Sequence, residues 1–445
     1  MMFAVVALIG LLIVLIGWGK VPPFLAFLLT ALAGALCFGM PLDQVAKSLE
    51  HGVGEMLGGL TAIICLGAMF GRAIADSGAA QSIARSLIGL VGLRFILLAM
   101  ALTGLIVGIP LFYSVGFVVM IPLIFSVARR AELPPVYVGL PLLCGLSVAH
   151  GFLPPHPSPT ALVKLFGADT GLTLVYGLVV SLVALLVAGP LLALTLKRFG
   201  LCPQAAPEDA APVAFLSADA PEDKLPGPVN SFSTALAPVV MIAAATAAIY
   251  ALKTPSDTKT VIGFIGQPVV VLSLSLIYAT FSLGVARGVA FTTTMQRYAE
   301  SLKDVAGILL ILAGAGALKQ VFVDSGVSTE LGGWLQSVPV HPLVLGWLIA
   351  MVIRVALGSA TIAGLTAAGL LQPVVAASHV DPNLMVLAVG AGSLMFSHVN
   401  DPGFWLFKEY FNLSLKDTFR TWTVMESVAG TVGLLCVLGL NMVVG

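Results

Sequence analysis

The stretch FSHVNDPGFW at residues 396–405 is the most informative part of this sequence. It places three polar side chains, His398, Asn400 and Asp401, at the end of the apolar run 384–397, and a Pro-Gly pair follows them directly. Polar groups are costly in lipid, so within a membrane protein they usually line a path for a substrate or an ion. Proline and glycine interrupt a helix there, and interrupted helices at membrane depth often form binding sites.

The composition identifies the surrounding chain as a membrane protein. Hydrophobic residues make up 59% of it and charged residues only 9%, and the mean hydropathy is +1.06. A soluble domain carries about 25% charged residues. The apolar runs are continuous over helix length, whereas a membrane β-barrel shows short alternating segments. We therefore expect an all-α polytopic protein in a lipid bilayer. A net charge of zero gives no basic surface for nucleic acid.

The apolar runs set the number of segments. We expect about 11 to 14 of them, because several runs are shorter than a full crossing and are predicted to be half-helices or re-entrant hairpins. The apolar N-terminus has no basic region and no cleavage site, and it is expected to stay as the first transmembrane helix. The runs are 2–17, 22–39, 57–75, 95–109, 111–128, 134–149, 172–196, 234–252, 261–286, 305–323, 342–357, 361–377, 384–397 and 423–444.

A polar segment rich in proline, alanine and acidic residues divides the chain. It spans 197–233 and is predicted to be a cytoplasmic linker between a first transmembrane repeat, 1–196, and a second, 234–445. The Asp-Ser-Gly triplet at 76–78 recurs at 324–326, an offset of 248 residues (324 − 76 = 248), and two further features share that offset. Three features at one offset indicate an internal repeat.

The distribution of basic residues predicts that this repeat is inverted. If Lys197, Arg198 and Arg297 are cytoplasmic, the run 305–323 points outward. Arg85 and Arg94 then require the equivalent run 57–75 to point inward. The N-terminus would lie outside, and the fold would consist of two inverted repeats with interrupted helices and re-entrant hairpins.

Two further breaks are candidate parts of a site. The first-half counterpart of the opening stretch is HGFLPPHPSPT at 150–160, where closely spaced prolines end a helix beside His150 and His156. It is interpreted as a hairpin tip that faces a central cavity. The alternative is a surface loop in which both histidines find ordinary partners.

The second break lies after Arg354, where small and hydroxyl residues, among them Ser359 and Thr361, interrupt an apolar stretch. Backbone amides and hydroxyls at the start of a half-helix suit a carboxylate, and Arg354 could add a charge-assisted pair. Its counterpart near 110–114 supplies the hydroxyls of Tyr113 and Ser114. The alternative is ordinary small-residue helix packing.

Enzyme signatures are missing from the sequence. It has no phosphate loop, no His-Glu-x-x-His and no Gly-x-Ser-x-Gly motif, and its five cysteines have no metal-ligand spacing. We expect a secondary carrier that is not an enzyme and that needs neither cofactor nor metal. His398 and Asp401 are candidate proton carriers, and coupling to Na⁺ remains an alternative. Glu426 is expected at the membrane interface.

The sequence resembles the gluconate:proton symporter family of bacterial inner-membrane carriers. The resemblance rests on LGAMFGR at 66–72, HGFLPPHP at 150–157, RVALGSAT at 354–361, SHVNDPGFW at 397–405 and TWTVME at 421–426. Two positions depart from the family pattern, Pro402 in place of Ala and Ser158 in place of Gly. Neither departure removes a polar group, but both bear on fine substrate specificity.

This resemblance implies import of gluconate or a related small sugar acid by proton symport across the bacterial inner membrane. Some relatives carry other sugar acids or D-serine. It also implies a larger group of carboxylate carriers that are often dimers, so a homodimer is a further expectation. The expected substrate ligands are Tyr113, Ser114, His150, His156, Arg354, Ser359, Thr361, Ser397 and Asn400. Asp401, with His398 or His150, is expected to carry the proton.

Overall fold

The computed structural model describes residues 2–203, 225–252, 257–327, 340–378, 380–399 and 401–444. Helices account for nearly all of them, and these residues contain no β-strand. The expected all-α membrane fold is therefore confirmed. Among the described residues, seven helices are long and apolar enough to cross a bilayer, or eight if one bent pair counts as a single span, and five shorter apolar helices accompany them.

Ten helices precede the polar segment. They are α1 Met2–Ile13, α2 Pro23–Cys37, α3 Leu42–Ser77, α4 Ala79–Val91, α5 Ile96–Gly108, α6 Tyr113–Arg130, α7 Pro135–Phe152, α8 Pro157–Phe166, α9 Thr170–Leu186 and α10 Leu192–Arg198.

The helices after it follow a similar order. They are α11 Pro228–Ala251, α12 Asp257–Ile265, α13 Pro268–Ala279, α14 Phe291–Asp324, α15 Pro342–Leu357, α16 Ala360–Ala377, α17 Pro382–Leu394, α18 Pro402–Tyr410, α19 Leu415–Thr418 and α20 Val424–Val444. Short π-helical turns occur at Val14–Trp18, Val187–Leu191, Thr280–Gly284 and Phe419–Thr423.

Prolines begin the helices that frame the breaks. Pro135 and Pro157 start α7 and α8, and Pro382 and Pro402 start α17 and α18, at offsets of 382 − 135 = 247 and 402 − 157 = 245 residues. Proline suits the first helical turn because the amide that it lacks would have no intrahelical partner there. The same residue type therefore begins two helices before the polar segment and two helices after it, at similar offsets.

Glycines mark equivalent points after the two longest helices. Gly78 follows α3 with φ of +78°, and Gly326 lies just past α14 with φ of +77°. Glycine reaches this left-handed region without the steric penalty of a Cβ atom, so it commonly ends helices. These glycines belong to the two Asp-Ser-Gly triplets noted in the sequence. The opposite membrane orientation of the two halves stays a prediction.

The described helices extend into both ends of the predicted linker between the halves. Helix α10 continues to Arg198 and α11 begins at Pro228, so the ends of the predicted linker 197–233 are helical. The apolar sequence that precedes Lys197, and the proline start at Pro228, account for these boundaries. Residues 204–224 lie outside the described part of the chain.

Helices α3 and α14 form the most extensive helix pair in the structure. At their crossing, a Cβ atom added to Gly52 would lie less than 3.0 Å from the backbone carbonyl oxygen of Gly316, and the reverse holds as well. Beside this contact the Ser48 hydroxyl donates to Asp324 Oδ2 at 2.5 Å, and Lys319 pairs with Glu55 at 3.3 Å. The absence of side chains at the crossing lets the two backbones approach closely.

Replacing Gly52 with alanine should therefore push α3 and α14 apart. We expect Gly52→Ala to lower the free energy of unfolding by about 1–3 kcal/mol, the usual effect of overpacking. Thermal unfolding in detergent micelles would measure it. Gly54→Ala is the matched control, because Gly54 has no neighbouring atom within 4 Å and alanine favours helix by about 1 kcal/mol. An equal response from the two variants would contradict the close-packing account.

Candidate functional site

Two helix breaks in the second half bring charged side chains together in the interior. Helix α15 ends at Leu357, and the next residue, Gly358, has a left-handed φ of +74°. The chain between α17 and α18 is not helical at Ser397 and Asp401. Arg354 lies in the last turn of α15, and its guanidinium faces that second break. The polar groups of the site are thus placed where helical backbone stops.

The centre of this arrangement is an ion pair between Arg354 and Asp401. Arg354 Nη2 donates to Asp401 Oδ2, and the two side chains are only 5% and 14% exposed. The other carboxylate oxygen accepts from the Gly403 amide at 2.8 Å, so Asp401 also caps the start of α18. A helix N-terminus favours a negative charge. Two independent features therefore stabilise the Asp401 carboxylate in a buried position.

Ser397 connects this pair to the last helix. Its hydroxyl donates to Asp401 Oδ2 and accepts from Trp422 Nε1 at 2.7 Å. Its backbone carbonyl accepts from the Thr423 hydroxyl at 2.5 Å. Trp422 and Thr423 belong to the π-helical turn before α20, where local widening of a helix often accompanies a functional site.

Several buried polar atoms around the pair have no hydrogen-bond partner among the described residues. They include Nε and Nη1 of Arg354, the Tyr113 hydroxyl and Nδ1 of His150. The Tyr113 ring lies 6.2 Å from the His150 ring and 6.1 Å from the Trp422 ring, measured between centroids. Buried polar groups are nearly always paired, so unpaired ones call for an explanation such as a bound ligand. Their clustering here marks a candidate polar site.

The hairpin of the first half reaches the same region. His156 is buried, and its Nε2 lies 2.6 Å from the Gly108 carbonyl oxygen, while its ring centroid lies 5.2 Å from that of His150. The end of α7 also packs on α17, because a Cβ atom added to Gly390 would lie less than 3.0 Å from the Gly151 carbonyl oxygen. The two histidines therefore lie in the protein interior.

The structure separates other predicted site residues from the ion pair. His398 Nε2 lies 3.1 Å from the Val355 carbonyl oxygen, and the ring has no hydrogen bond to Asp401. Ser359 accepts from the Ile362 amide at 3.3 Å at the start of α16, and Thr361 lies in the first turn of that helix. Two more predicted ligands, the Ser114 side chain and Asn400, lie outside the described residues.

Glu426 is a residue of this region that sequence reasoning placed wrongly. It was expected at the membrane interface, but it is 3% exposed and accepts a hydrogen bond from the Ser147 hydroxyl of α7. The reason is tertiary: the start of α20 lies in the interior, next to α7. One signal was available, since Glu426 lies four residues after Trp422 and thus on the same helix face.

No metal centre is present within the described ranges. In them, no group of three or more His, Cys, Asp or Glu side chains is placed to hold a metal ion. The chemistry that this region offers is an arginine, two carboxyl groups, a phenol, an imidazole and several hydroxyls. Such a set suits the binding of a small polar anion.

Comparison with known proteins identifies the family. Residues 1–443 match the family described as GntP family permease. The chain belongs to the GntP permease family. The expected resemblance is thereby confirmed, since the family model covers almost the whole chain. The GntP chain is a transporter and not an enzyme, and it is a multi-pass protein of the bacterial inner membrane.

Individual relatives agree with this assignment. The GntP chain is 42% identical to the Gnt-II system L-idonate transporter of Escherichia coli K12 over 433 residues, which cover 97% of each protein. It is 43% identical to a high-affinity gluconate transporter of the same strain over 426 residues, which cover 96% of this chain and 95% of the relative.

Solved structures support the fold. The GntP chain is similar to the crystal structure of the Alcanivorax borkumensis YdaH transporter, with a TM-score of 0.68. The match covers 95% of this chain and 99% of that one at 18% sequence identity. A likeness at that identity concerns the fold alone.

The ion pair makes a testable contribution to stability. Arg354→Gln should leave Asp401 buried and charged without a cation, which typically costs about 3–5 kcal/mol of folding free energy. The double variant with Asp401→Asn removes both charges and should recover most of that loss. Thermal unfolding in detergent would compare the variants.

The exposed pair of Lys408 and Glu409 provides the control. Lys408→Gln should change the unfolding free energy by less than about 1 kcal/mol, as is usual for surface ion pairs. If the double variant is no more stable than Arg354→Gln alone, the uncompensated Asp401 charge is not the cause of the loss.

Proposed function

We propose that this GntP permease imports gluconate or a closely related small sugar acid together with protons. The relatives with the most informative names carry L-idonate and gluconate, both polyhydroxylated carboxylates. A site for such a substrate needs a fixed cation for the carboxylate and several hydrogen-bonding groups for the hydroxyls. The described residues offer both in one buried region.

Arg354 carries the proposal. Its guanidinium is buried and bound to Asp401 through Nη2, while Nε and Nη1 have no partner within the described part of the chain. A guanidinium presents parallel N–H groups that match the two oxygens of a carboxylate. Asp401 therefore occupies part of a position where a substrate carboxylate could bind, and the unpaired nitrogens offer the rest.

The hydroxyl groups of the substrate would meet the surrounding polar atoms. Tyr113 and His150 have buried polar atoms without partners, and Ser397 already lies beside Asp401. Ser359 and Thr361 lie at the start of α16, where the helix dipole adds partial positive charge. The remaining proposed ligands are Ser114, His156 and Asn400. Hydrogen bonds from these polar residues would favour a polyhydroxylated substrate over a fatty acid without hydroxyl groups.

Proton coupling follows from the charge balance of a buried site. With Asp401 ionised, Arg354 is already neutralised, so an incoming carboxylate must compete with Asp401. Protonation of Asp401 would remove that competitor and leave the guanidinium to the substrate. Proton and substrate would thus bind together. His398, partly buried three residues before Asp401, is the second proposed proton-coupling residue.

The proposal extends to the architecture. The two halves, 1–196 and 234–445, would be inverted repeats joined by the polar segment 197–233 on the cytoplasmic side, and the protein would assemble as a homodimer. Similar helix order in the halves and the paired glycines Gly78 and Gly326 support the repeat.

Uptake into vesicles tests the function directly. The purified protein would be reconstituted in proteoliposomes with an imposed inward proton gradient, and entry of labelled D-gluconate would be measured. Accumulation that a protonophore abolishes is the expected result. Accumulation that persists with the protonophore and depends on Na⁺ would contradict proton coupling. Transport of D-serine in place of gluconate and idonate would contradict the sugar-acid substrate.

Asp401→Asn should separate coupling from binding. The amide cannot ionise, so Arg354 would stay available to substrate whatever the proton gradient. We expect exchange of labelled for unlabelled gluconate to continue while accumulation against a concentration gradient is lost. Both can be measured in the same vesicles. Accumulation at the wild-type level would mean that Asp401 is not the coupling group.

A further inference from the structure

A second carboxyl group lies in the same interior region and has no part in the scheme above. Glu426, on α20, is 3% exposed, and its Oε1 accepts from the hydroxyl of Ser147, which is 3% exposed as well. Among the described residues, no lysine, arginine or histidine nitrogen lies within 4.0 Å of its carboxyl oxygens. A carboxylate without a cation is strongly disfavoured in an apolar interior, so Glu426 holds a proton in this state.

Several charged and titratable groups on neighbouring helices act on Glu426. Glu426 interacts electrostatically with the phenol of Tyr113 on α6 and with the thiol of Cys144 on α7. The charges of Arg354 and Asp401 also act on it. Because Arg354 and Asp401 neutralise each other, a protonated Glu426 completes a site of zero net charge.

Tyr113 is near both carboxyl groups. Its hydroxyl is buried with the Ser147 hydroxyl nearby, and both Glu426 and Asp401 act on it electrostatically. A hydroxyl can accept a proton from one neighbour while it donates its own to another. The Tyr113 hydroxyl is therefore the candidate to pass a proton between two carboxyl groups that are not in direct contact.

We propose that Glu426 is a proton-exchanging residue of the transport site that supplies Asp401. This inference rests on the proposed proton symport. The acid proton of Glu426 passes by way of the Tyr113 hydroxyl to Asp401 Oδ2, leaving Glu426 anionic and Asp401 neutral. The net charge around Arg354 stays the same during that transfer. When the substrate anion binds Arg354, one proton from solvent restores Glu426, so one proton enters with each monoanion.

Glu426→Gln distinguishes this role from a structural one. Glutamine has the same shape as glutamic acid and is neutral. If the Glu426 carboxyl never releases its proton, this replacement should therefore have no effect on transport. If Glu426 exchanges a proton, gradient-driven uptake should fall by about tenfold or more, in the range of lost proton-transfer groups. Exchange of labelled for unlabelled gluconate should stay close to wild type, since exchange needs no net proton transfer.

The control is Glu409→Gln, which removes an exposed carboxyl and should leave both rates unchanged. Wild-type rates and wild-type pH dependence of uptake in Glu426→Gln would overturn the proposal. Loss of exchange together with uptake would also overturn it, because that result indicates a binding or packing role.

Infrared difference spectroscopy supplies a readout that is independent of transport. When gluconate is added, the wild-type protein should gain a second protonated-carboxyl band, from Asp401, and Glu426→Gln should gain it more slowly. If Glu426→Gln does not fold, Tyr113→Phe should slow the same spectral change in a protein with both carboxyls intact. An Asp401 band that appears as fast in Glu426→Gln as in the wild type would overturn the proposal. A vesicle assay in which wild-type uptake ignores the proton gradient would instead contradict the proposed symport, whatever the spectra show.

Discussion

A charge buried in a membrane protein needs a counter-charge nearby, and the interior of this transporter is arranged around that requirement. Arg354 is held by Asp401, and Asp401 is held in turn by the Ser397 hydroxyl and the Gly403 amide. Any anion that binds Arg354 must replace the carboxylate that is already there. The constraint turns a structural ion pair into a competition between a fixed carboxylate and a mobile one. It thereby links the occupancy of the site to its protonation.

The helix breaks make this arrangement possible. A continuous helix satisfies its own amides, whereas the break before α18 leaves the Gly403 amide for Asp401. The left-handed Gly358 ends α15 one turn after Arg354, so the guanidinium projects from a helix end. Pro402 and Gly358 therefore matter for the chemistry because they set where regular backbone stops. The π-helical turn at Phe419–Thr423 adds Trp422, whose indole fixes the Ser397 hydroxyl.

How much of this could be predicted from the sequence differs from one residue to the next. The all-α membrane fold and the breaks at 150–160 and 397–403 followed from hydropathy and proline, which act locally. Arg354 and Asp401 were both chosen as site residues, but their pairing was not, since 47 residues and two helices separate them.

Glu426 shows why the rest was out of reach. Its position at the start of an apolar run is typical of an interface, but the packing of α20 against other helices, α7 among them, buries it. His398 likewise stands next to Asp401 in the sequence, yet its ring reaches the Val355 carbonyl instead. Such outcomes depend on which helices are neighbours, which local sequence does not encode.

The glycine crossing of α3 and α14 bears on how the protein is made. Each of these long helices has its main packing partner in the other half of the chain. During synthesis, α3 is inserted long before residues 291–324 leave the ribosome, so its glycine face has no partner for most of translation. Until α14 is made, the glycine face of α3 must therefore be covered by lipid or by the insertion machinery. Assembly of the two halves is thus a late and concerted step, and it begins once α14 arrives.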